Sequence, residues 1–535
     1  MDSVDGLLKR LEQLNDIGAS LSKERDITRL LERILLAAKT ITNADGGTLY
    51  RMAEDGQSLR FEILRTDSLK IAMGGTSGSA ISFPDLPLFN GAGAPNDSLV
   101  AAYAVIHRVT VNITDAYTEP NFDFSGTRQF DERTGYRSQS FLAVPMKNHE
   151  GTVIGVLQLI NAQAPGSQTV IPFSVEDQSL AESLASQAAI ALSNRLLMTQ
   201  LEELFESFIN VINMAIEEKS QYTGGHCQRV PALTMMLAEA AVDMQEGPLA
   251  SFTMNESDRY ELKIAGLLHD CGKVTTPVHV VDKATKLQTL FDRIELVDTR
   301  FEVLKRDAEL DTLRRQLALR PCVDAKAEAL LVQANQARMD ALEADRNFLR
   351  TVNIGGETMS ECDMQRVRDI GTGHLWRNVQ GILTEFLTTD EIENLSIRGG
   401  TLTQTERNTI NYHIIATIKM LEQLPWPKHL KNVPEYAGGH HERMDGKGYP
   451  RGLTHDQMSV QARVMGIADI FEALTAGDRP YKPGMKLSQA MGIMNNLKRI
   501  GHIDPDLFDI FVKKGIYKRY AAQYLNPWQI DEVNL

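Results

Sequence analysis

A chain of 535 residues, 43 % hydrophobic and 24 % charged, is too long for one core and reads as two or three ordinary soluble domains. Its formal net charge of −14 opposes non-specific binding to DNA or anionic lipid, so an anionic substrate would need positive charge supplied at the site, most simply by metal ions. No apolar run approaches the ~20 residues of a membrane span, the Met1 end is polar, and Cys227, Cys271, Cys322 and Cys362 show no CxxC spacing; a reducing, cytoplasmic location is expected.

Residues 1–175 alternate helical and strand patterns. Leu7 to Ile41 is expected to form one amphipathic helix. "GGTLYRM", "LRFEILRT", "VTVNI", "SFLAVPMKN" and "GTVIGVLQLINA" read as strands, the last two joined by a turn at His149–Gly151. Between them, "MGGTSGSAISFPDLPLFNGAGAPND" reads as a long loop over one face of a mixed α/β sensor-like sheet.

From Ser174, paired with Asp177 in a helix-capping pattern, a helical stripe runs through Leu180, Leu184, Ala188, Ala191, Leu196, Leu201, Leu204, Phe208, Val211 and Met214. Residues 176–210 are therefore expected to be a linker helix that dimerises as a coiled coil. Residues 211–535 read as an all-helical domain. Within it, "RFEVLKRDAELDTLRRQLALR" and "DAKAEALLVQANQARMDALEADRNFLR" form two charged amphipathic helices around Pro321, a hairpin projecting from the domain.

Histidine placement locates the chemistry. Of the 12 histidines only His107 and His149 precede residue 200. His226 lies in "YTGGHCQRV", His269 and Asp270 in "AGLLHDCGK", and His413 in a helix opened by the capping box Thr403-x-x-Glu406. His440 and His441 stand together in "HHERMDGKGYP", and Asp469 sits on the apolar helix "VMGIADIFEAL". Singly, each is a satisfied core histidine or a paired carboxylate. Together they are the imidazole and carboxylate ligands that divalent transition metals prefer. Neighbouring helical residues diverge by about 100°, so His269–Asp270 and His440–His441 are expected to straddle two ions, with Asp270 as the bridge.

"HDCGK", "HHERMDGKGYP" and "ADIFEALTAGDRPY", in that order, resemble the HD-GYP family, a branch of the HD metal-dependent phosphohydrolases. The resemblance covers about 210–290 and 398–510. It implies an all-helical domain whose two or three divalent ions, iron or manganese foremost, serve hydrolysis of cyclic di-GMP to pGpG or GMP. Carried over, the metal ligands are His226, His269, Asp270, His413, His440, His441 and Asp469, all of the expected residue type. Metal-activated hydroxide attacks the phosphodiester in such a mechanism, with Asp270 and Lys273 as catalytic residues. Lys273 would neutralise the phosphate or assist the leaving oxygen. Arg443, Lys447, Gly448, Tyr449, Pro450 and Arg479 are the expected substrate contacts, Gly446 and Gly448 giving the loop its conformational freedom. The family loop is also linked with partner proteins of the GGDEF type. Two features depart from the family. A segment of about residues 291–396 separates the HD motif from the next ligand histidine, and is read as an insertion. A glutamate completing a third metal site has only Glu217 or Glu218 as candidates.

"DERTGYRSQSFLAVPM" and "GTVIGVLQLINA", followed by "FSVEDQSLAESLASQAAIAL", resemble a GAF domain of the cyclic-nucleotide phosphodiesterase kind. Of the motif that accompanies nucleotide binding the chain keeps Asn161, Phe173 and Asp177, but has Ala162 for the lysine and Gln178 for the glutamate. A cyclic nucleotide is thus one candidate ligand, and a purely structural or dimerising role the other. The expected whole is a homodimeric cyclic di-GMP phosphodiesterase governed by its GAF domain. The alternatives are an HD hydrolase of another cyclic dinucleotide, or a metal-loaded, non-catalytic signalling module in which the insertion blocks turnover.

Overall fold

Alternating side chains set the first unit's architecture. In the computed structural model, which describes residues 2–534 except 22, 25, 220–223, 320–324, 357 and 478–483, the chain divides into units Met1–Phe205 and Glu206–Leu535. The first holds β1 (Ala44–Met52), β2 (Ser58–Thr66), β3 (Ile71–Gly74), β4 (Leu86–Pro87), β5 (Val111–Ile113), β6 (Phe141–Lys147), β7 (Val153–Gln163) and β8 (Val170–Ile171). They form one antiparallel sheet in the order β3-β2-β1-β7-β6-β5, with β4 beside β2 and β8 beside β7. On β6, Leu142, Val144 and Met146 face one core while Phe141 and Ala143 face the other, the period-two consequence of the pleat. The first core is closed by Leu30, Ile34 and Leu35 of the helix Ile27–Thr42 and by Leu180, Leu184 and Ala188 of the helix that begins at Val175. The second is closed by the helix Val100–His107.

The expected α/β sheet is present, with three local differences. The single helix from Leu7 to Ile41 is two, Asp2–Leu21 and Ile27–Thr42. Asp26, in an extended conformation, starts the second by accepting from the Arg29 amide, a local side-chain bond that competes with helix continuation. Strand β3 ends inside the segment read as loop, and β4 forms within it, because edge pairing to β2 satisfies their backbones. The "VTVNI" strand shrinks to Val111–Ile113.

Ser174 and Asp177 cap the helix Val175–Lys219 reciprocally: the Asp177 amide donates to Ser174 Oγ at 3.0 Å and the Ser174 amide to Asp177 Oδ2 at 3.1 Å. Leu180, Leu184 and Ala188 are buried, whereas Leu197, Leu201, Leu204, Phe208 and Val211 are exposed at spacings of four and three. That is a heptad seam left open to solvent.

In the second unit the helices Gly224–Val242, Glu256–Leu268, Gln404–Glu422, Val433–Gly438 and Val460–Thr475 carry the residues of interest. Gly272 sets one critical approach. A Cβ there would lie 2.0 Å from the His413 carbonyl oxygen, so only glycine lets the HD turn press against the helix of His413. The Gly272 amide donates to Thr417 Oγ1 at 2.9 Å and locks that approach.

The segment read as an insertion builds a core of its own from Val297, Phe301, Leu304, Leu342, Leu349, Val367, Ile370 and Phe386. Helices Ile294–Leu319 and Ala325–Asn353 form the expected hairpin, zipped by Arg346–Asp298 at 2.9 Å and Arg350–Asp298 at 2.7 Å; Pro321 lies outside the described residues. The all-helical expectation needs one correction. Leu375–Arg377 and Leu383–Glu385 pair as an antiparallel ribbon around a turn at Gly381, whose φ of +74° favours glycine.

Candidate metal centre

Each candidate ligand is delivered by a helix or a helix end. His226 lies in the first turn of Gly224–Val242 and His413 mid-way along Gln404–Glu422. His269 is the C-terminal cap of Glu256–Leu268, Asp270 follows it, and Asp469 faces inward from Val460–Thr475. His440 and His441 occupy the turn just after Val433–Gly438. The side chains converge in two groups, His226 with His269 and Asp270, and His413 with His440 and His441. Because His440 and His441 are in a turn, the helical divergence expected of them does not apply, and both fall in the second group, ring centroids 4.2 Å apart. Asp270 spans the two: Oδ2 lies 3.1 Å from His226 Nε2 and Oδ1 lies 3.3 Å from His413 Nε2.

The protons on these rings can be assigned by elimination. Nδ1 of His269, His413 and His440 faces the carbonyl oxygens of Gly266, Ile410 and Ala437 at 2.8, 2.5 and 2.6 Å. A carbonyl only accepts, so Nδ1 donates and Nε2 keeps its lone pair in the neutral ring. His226 Nδ1 likewise donates to Glu472 Oε2. The Nε2 atoms and carboxylate oxygens then crowd together: His226 Nε2 is 3.3 Å from His269 Nε2, and 3.1 Å from both Asp270 Oδ2 and Asp469 Oδ1. The buried Nε2 of His440 and Oδ1 of Asp270 have no hydrogen-bond partner at all. Acceptors packed on acceptors, with orphaned buried atoms among them, fit divalent cations and fit little else.

The electrostatics divide the site: burial would lower His226, but hydrogen bonds to Asp270, Asp469 and Glu472 raise it well above the ordinary imidazole value, so with no cation present its Nε2 keeps a proton toward the two carboxylates. Burial pushes His440 down to about 4, so the ring stays neutral at pH 7. His441 is lowered for the same first reason. Burial would raise the Asp270 carboxyl, but Lys273 and the surrounding imidazoles hold it well below the usual range, and the imidazoles do the same for Asp469. Lys273 Nζ donates to Asp270 Oδ2 at 2.6 Å; burial pulls its ammonium down, yet the charges of Asp270 and Asp469 leave it raised.

A cleft of about 780 Å³ opens on this centre, with Arg443, Lys447 and Tyr449 on its wall beside His440, His441 and Asp469. Tyr449 stacks on His441, centroids 4.8 Å apart and planes 18° from parallel. Arg443 is held bidentate by Asp445 at 3.0 and 2.7 Å. Gly448 differs from its expected part. A Cβ there would meet Arg443 N at 2.4 Å, so this glycine is needed for close backbone packing; of the two loop glycines, Gly446 has the positive φ, +73°. Gly448 and Pro450 do not line the cleft, and Arg479 lies outside the described residues. Glu217 is half-buried, Glu218 is exposed, and neither joins either ligand group among the described residues.

A GAF domain family model matches residues 26–192, and two HD domain models match 223–330 and 388–507. The chain carries a GAF domain followed by an HD domain. It is 46 % identical over 98 residues to a 3′3′-cGAMP-specific phosphodiesterase of Vibrio cholerae, covering 18 % of this chain and 22 % of that one. It is 47 % identical over 95 residues to a cyclic di-GMP phosphodiesterase of Pseudomonas aeruginosa, covering 18 % and 22 %. A probable cyclic di-GMP phosphodiesterase of Vibrio cholerae is 30 % identical over 248 residues, covering 44 % and 51 %. The chain thus spans between 22 % and 51 % of these relatives' own length.

The HD domain also relies on two glutamates that the motifs alone do not single out. Glu472, wholly buried, accepts from His226 Nδ1 and, at 2.7 Å, from Arg229 Nε, so it orients the imidazole from behind. Its signal was available in "ADIFEAL", one helical turn beyond Asp469 on the same inward face. Glu442 accepts from the amides of Arg451 and Leu453 at 2.7 and 2.9 Å and closes the GYP loop on itself. No local pattern marks that contact in advance.

In the GAF domain the motif residues serve the fold. Asn161, at a φ of +58°, accepts from the Gln139 amide at 2.7 Å and donates to the Arg137 carbonyl at 2.8 Å. Phe173 is core and Asp177 is the helix cap. A separate cavity of about 490 Å³ is walled by Tyr50, Phe61, Phe83, Phe130, Tyr136 and Phe141, and no lysine or arginine lines it among the described residues. No helix among the described residues is long and apolar enough to cross a membrane.

Proposed function

We propose that this chain is a metal-dependent phosphodiesterase of cyclic dinucleotides, with cyclic di-GMP as its substrate and pGpG or GMP as product. The observation that carries the reading is the convergence of His226, His269, Asp270, His413, His440, His441 and Asp469 with their ligating atoms facing one another, Asp270 spanning both groups. These residues would hold two or three divalent ions, iron or manganese by ligand type. Bound there, the ions supply Lewis acidity toward water and phosphate oxygens.

The protein's own groups account for the remaining tasks. The backbone carbonyls of Gly266, Ile410 and Ala437 hold three imidazoles in the tautomer that presents Nε2. Lys273 keeps its proton against Asp270 and adds positive charge where a phosphate must sit. Tyr449, braced on His441, offers a flat face for a purine, and Arg443 and Lys447 offset the substrate's second phosphate from the cleft wall. The intact cleft argues against a non-catalytic module, because the inserted segment borders the opening without filling it. Similarity to the cGAMP-specific relative makes 3′3′-cGAMP the second substrate to assay.

Around this core we place a cytoplasmic homodimer joined along the open seam of Leu197, Leu201, Leu204, Phe208 and Val211. An effector in the GAF cavity would govern it, a cyclic nucleotide being the first to try, and a GGDEF-type protein would dock at the GYP loop. The decisive experiment loads the protein with iron or manganese and assays cyclic di-GMP beside a His269→Ala/Asp270→Ala double variant. Turnover by the first and none by the second supports the proposal, and equal rates refute it. Activity and effector response unchanged on removing residues 1–200 would refute control by the GAF domain.

A further inference from the structure

The catalytic cleft is completed by residues that the HD motifs do not contain. Ile354, Gly355 and Gly356, at the end of the inserted hairpin's second helix, line it together with Gly400 and Thr401, where the chain re-enters the HD domain. They share that cleft with His440, His441 and Tyr449. Ile354 is 67 % exposed and adds an apolar side chain to a cleft that Ile470, Leu474 and Met485 also line.

This wall is fixed in place. The Lys286 amide donates to the Asn353 carbonyl at 2.8 Å, and the Leu287 amide to Asn353 Oδ1 at 2.8 Å. The Gly400 amide donates to the Gly356 carbonyl at 3.0 Å, and Thr401 Oγ1 to the Lys283 carbonyl at 2.9 Å. Buried Lys283 ties Asn394, within the insertion, to Glu406, on the helix of His413, at 2.8 Å each. Gly355, at a φ of +78°, would bring a Cβ to 3.1 Å from the Gly400 carbonyl, so the two crossing segments are in close contact. A rigid apolar rim bonded to the ligand-bearing helix is suited to specificity rather than to gating.

We propose that Ile354 and Gly356 form a specificity wall that packs on the nucleobase remote from the scissile phosphate, so that the insertion selects for a cyclic dinucleotide over a smaller phosphodiester. This rests on the phosphodiesterase reading above. Ile354→Ser and Gly356→Leu test it; Ile354 is exposed, and a Cβ at Gly356 would meet nothing within 4 Å. Each should raise KM for cyclic di-GMP roughly tenfold, the order expected when one apolar surface against the substrate is removed or obstructed. The kcat, and all kinetics on bis(p-nitrophenyl) phosphate, should stay within about twofold of the parent. In the parent, amide exchange across residues 353–356 should slow when cyclic di-GMP is added. Equal effects on both substrates, or unchanged exchange, overturn the wall. Failure of the parent to hydrolyse either substrate overturns the phosphodiesterase reading itself, which separates the two failures.

Discussion

Glu472→Gln probes the centre without touching a ligand. The carboxylate is fully buried and holds two donors, His226 Nδ1 on one oxygen and Arg229 on the other at 2.6 to 2.7 Å. The amide keeps the shape and one accepting oxygen, but removes the negative charge that makes the imidazole electron-rich. Such partners of metal-binding histidines are worth about 10- to 100-fold in affinity, or about 1.4–2.7 kcal/mol at 1.36 kcal/mol per factor of ten. A second cost falls on Arg229, left facing an amide; a buried group losing half its pairing costs about 1–3 kcal/mol in stability. Chelator-competition titration of the metal-loaded protein reads the first effect, and thermal denaturation in excess chelator reads the second. The two are separable because the metal is absent from one of them. A variant binding metal within twofold of the parent would refute the claim that Glu472 tunes the centre through His226, even if its melting temperature fell.

Three further outcomes are expected. Leu201→Glu/Phe208→Glu should convert a dimer to a monomer in light scattering, because both side chains are exposed on the single chain and are the ones offered to the seam; a dimer that survives would refute the seam. Gly448→Ala should lower activity and cost about 1–3 kcal/mol, because the new Cβ would meet backbone atoms at 2.4 and 2.5 Å that cannot move aside; unchanged activity and melting temperature would refute it. Acid stability of the inserted segment should depend on Glu391. Burial would raise its pKa, but Arg300, bonded at 2.7 and 2.9 Å, and the Thr388 amide hold it below the ordinary value. A depressed folded pKa contributes stability above the unfolded value near 4.5 and loses it as pH falls through the folded one. In Arg300→Met the melting temperature should therefore lie below the parent's at neutral pH and the gap should close as pH falls through about 4.5, and a gap that stays constant with pH would refute the assignment.

Much of this protein was legible because its chemistry is local in type. Imidazoles and carboxylates in "HDCGK", "HHERMDGKGYP" and "ADIFEAL" announce metal affinity by residue identity alone, and period-two and helical patterns announce the sheet and the long helix. Patterning along the chain could not show that Asp26 restarts a helix, that the Gly/Pro/Ser segment lends β3 and β4 to the sheet edge, or that a small ribbon sits inside the helical insertion. Each depends on a hydrogen-bond partner chosen in three dimensions. The same holds at the site. Sequence named the candidate ligands, but the grouping of His440 with His441, the tautomers set by three backbone carbonyls, the support from Glu472 and the rim contributed by Ile354 required knowing which helix ends meet. Residue type determines which bonds a side chain can make; only packing determines which atom stands within about 3 Å to make them with.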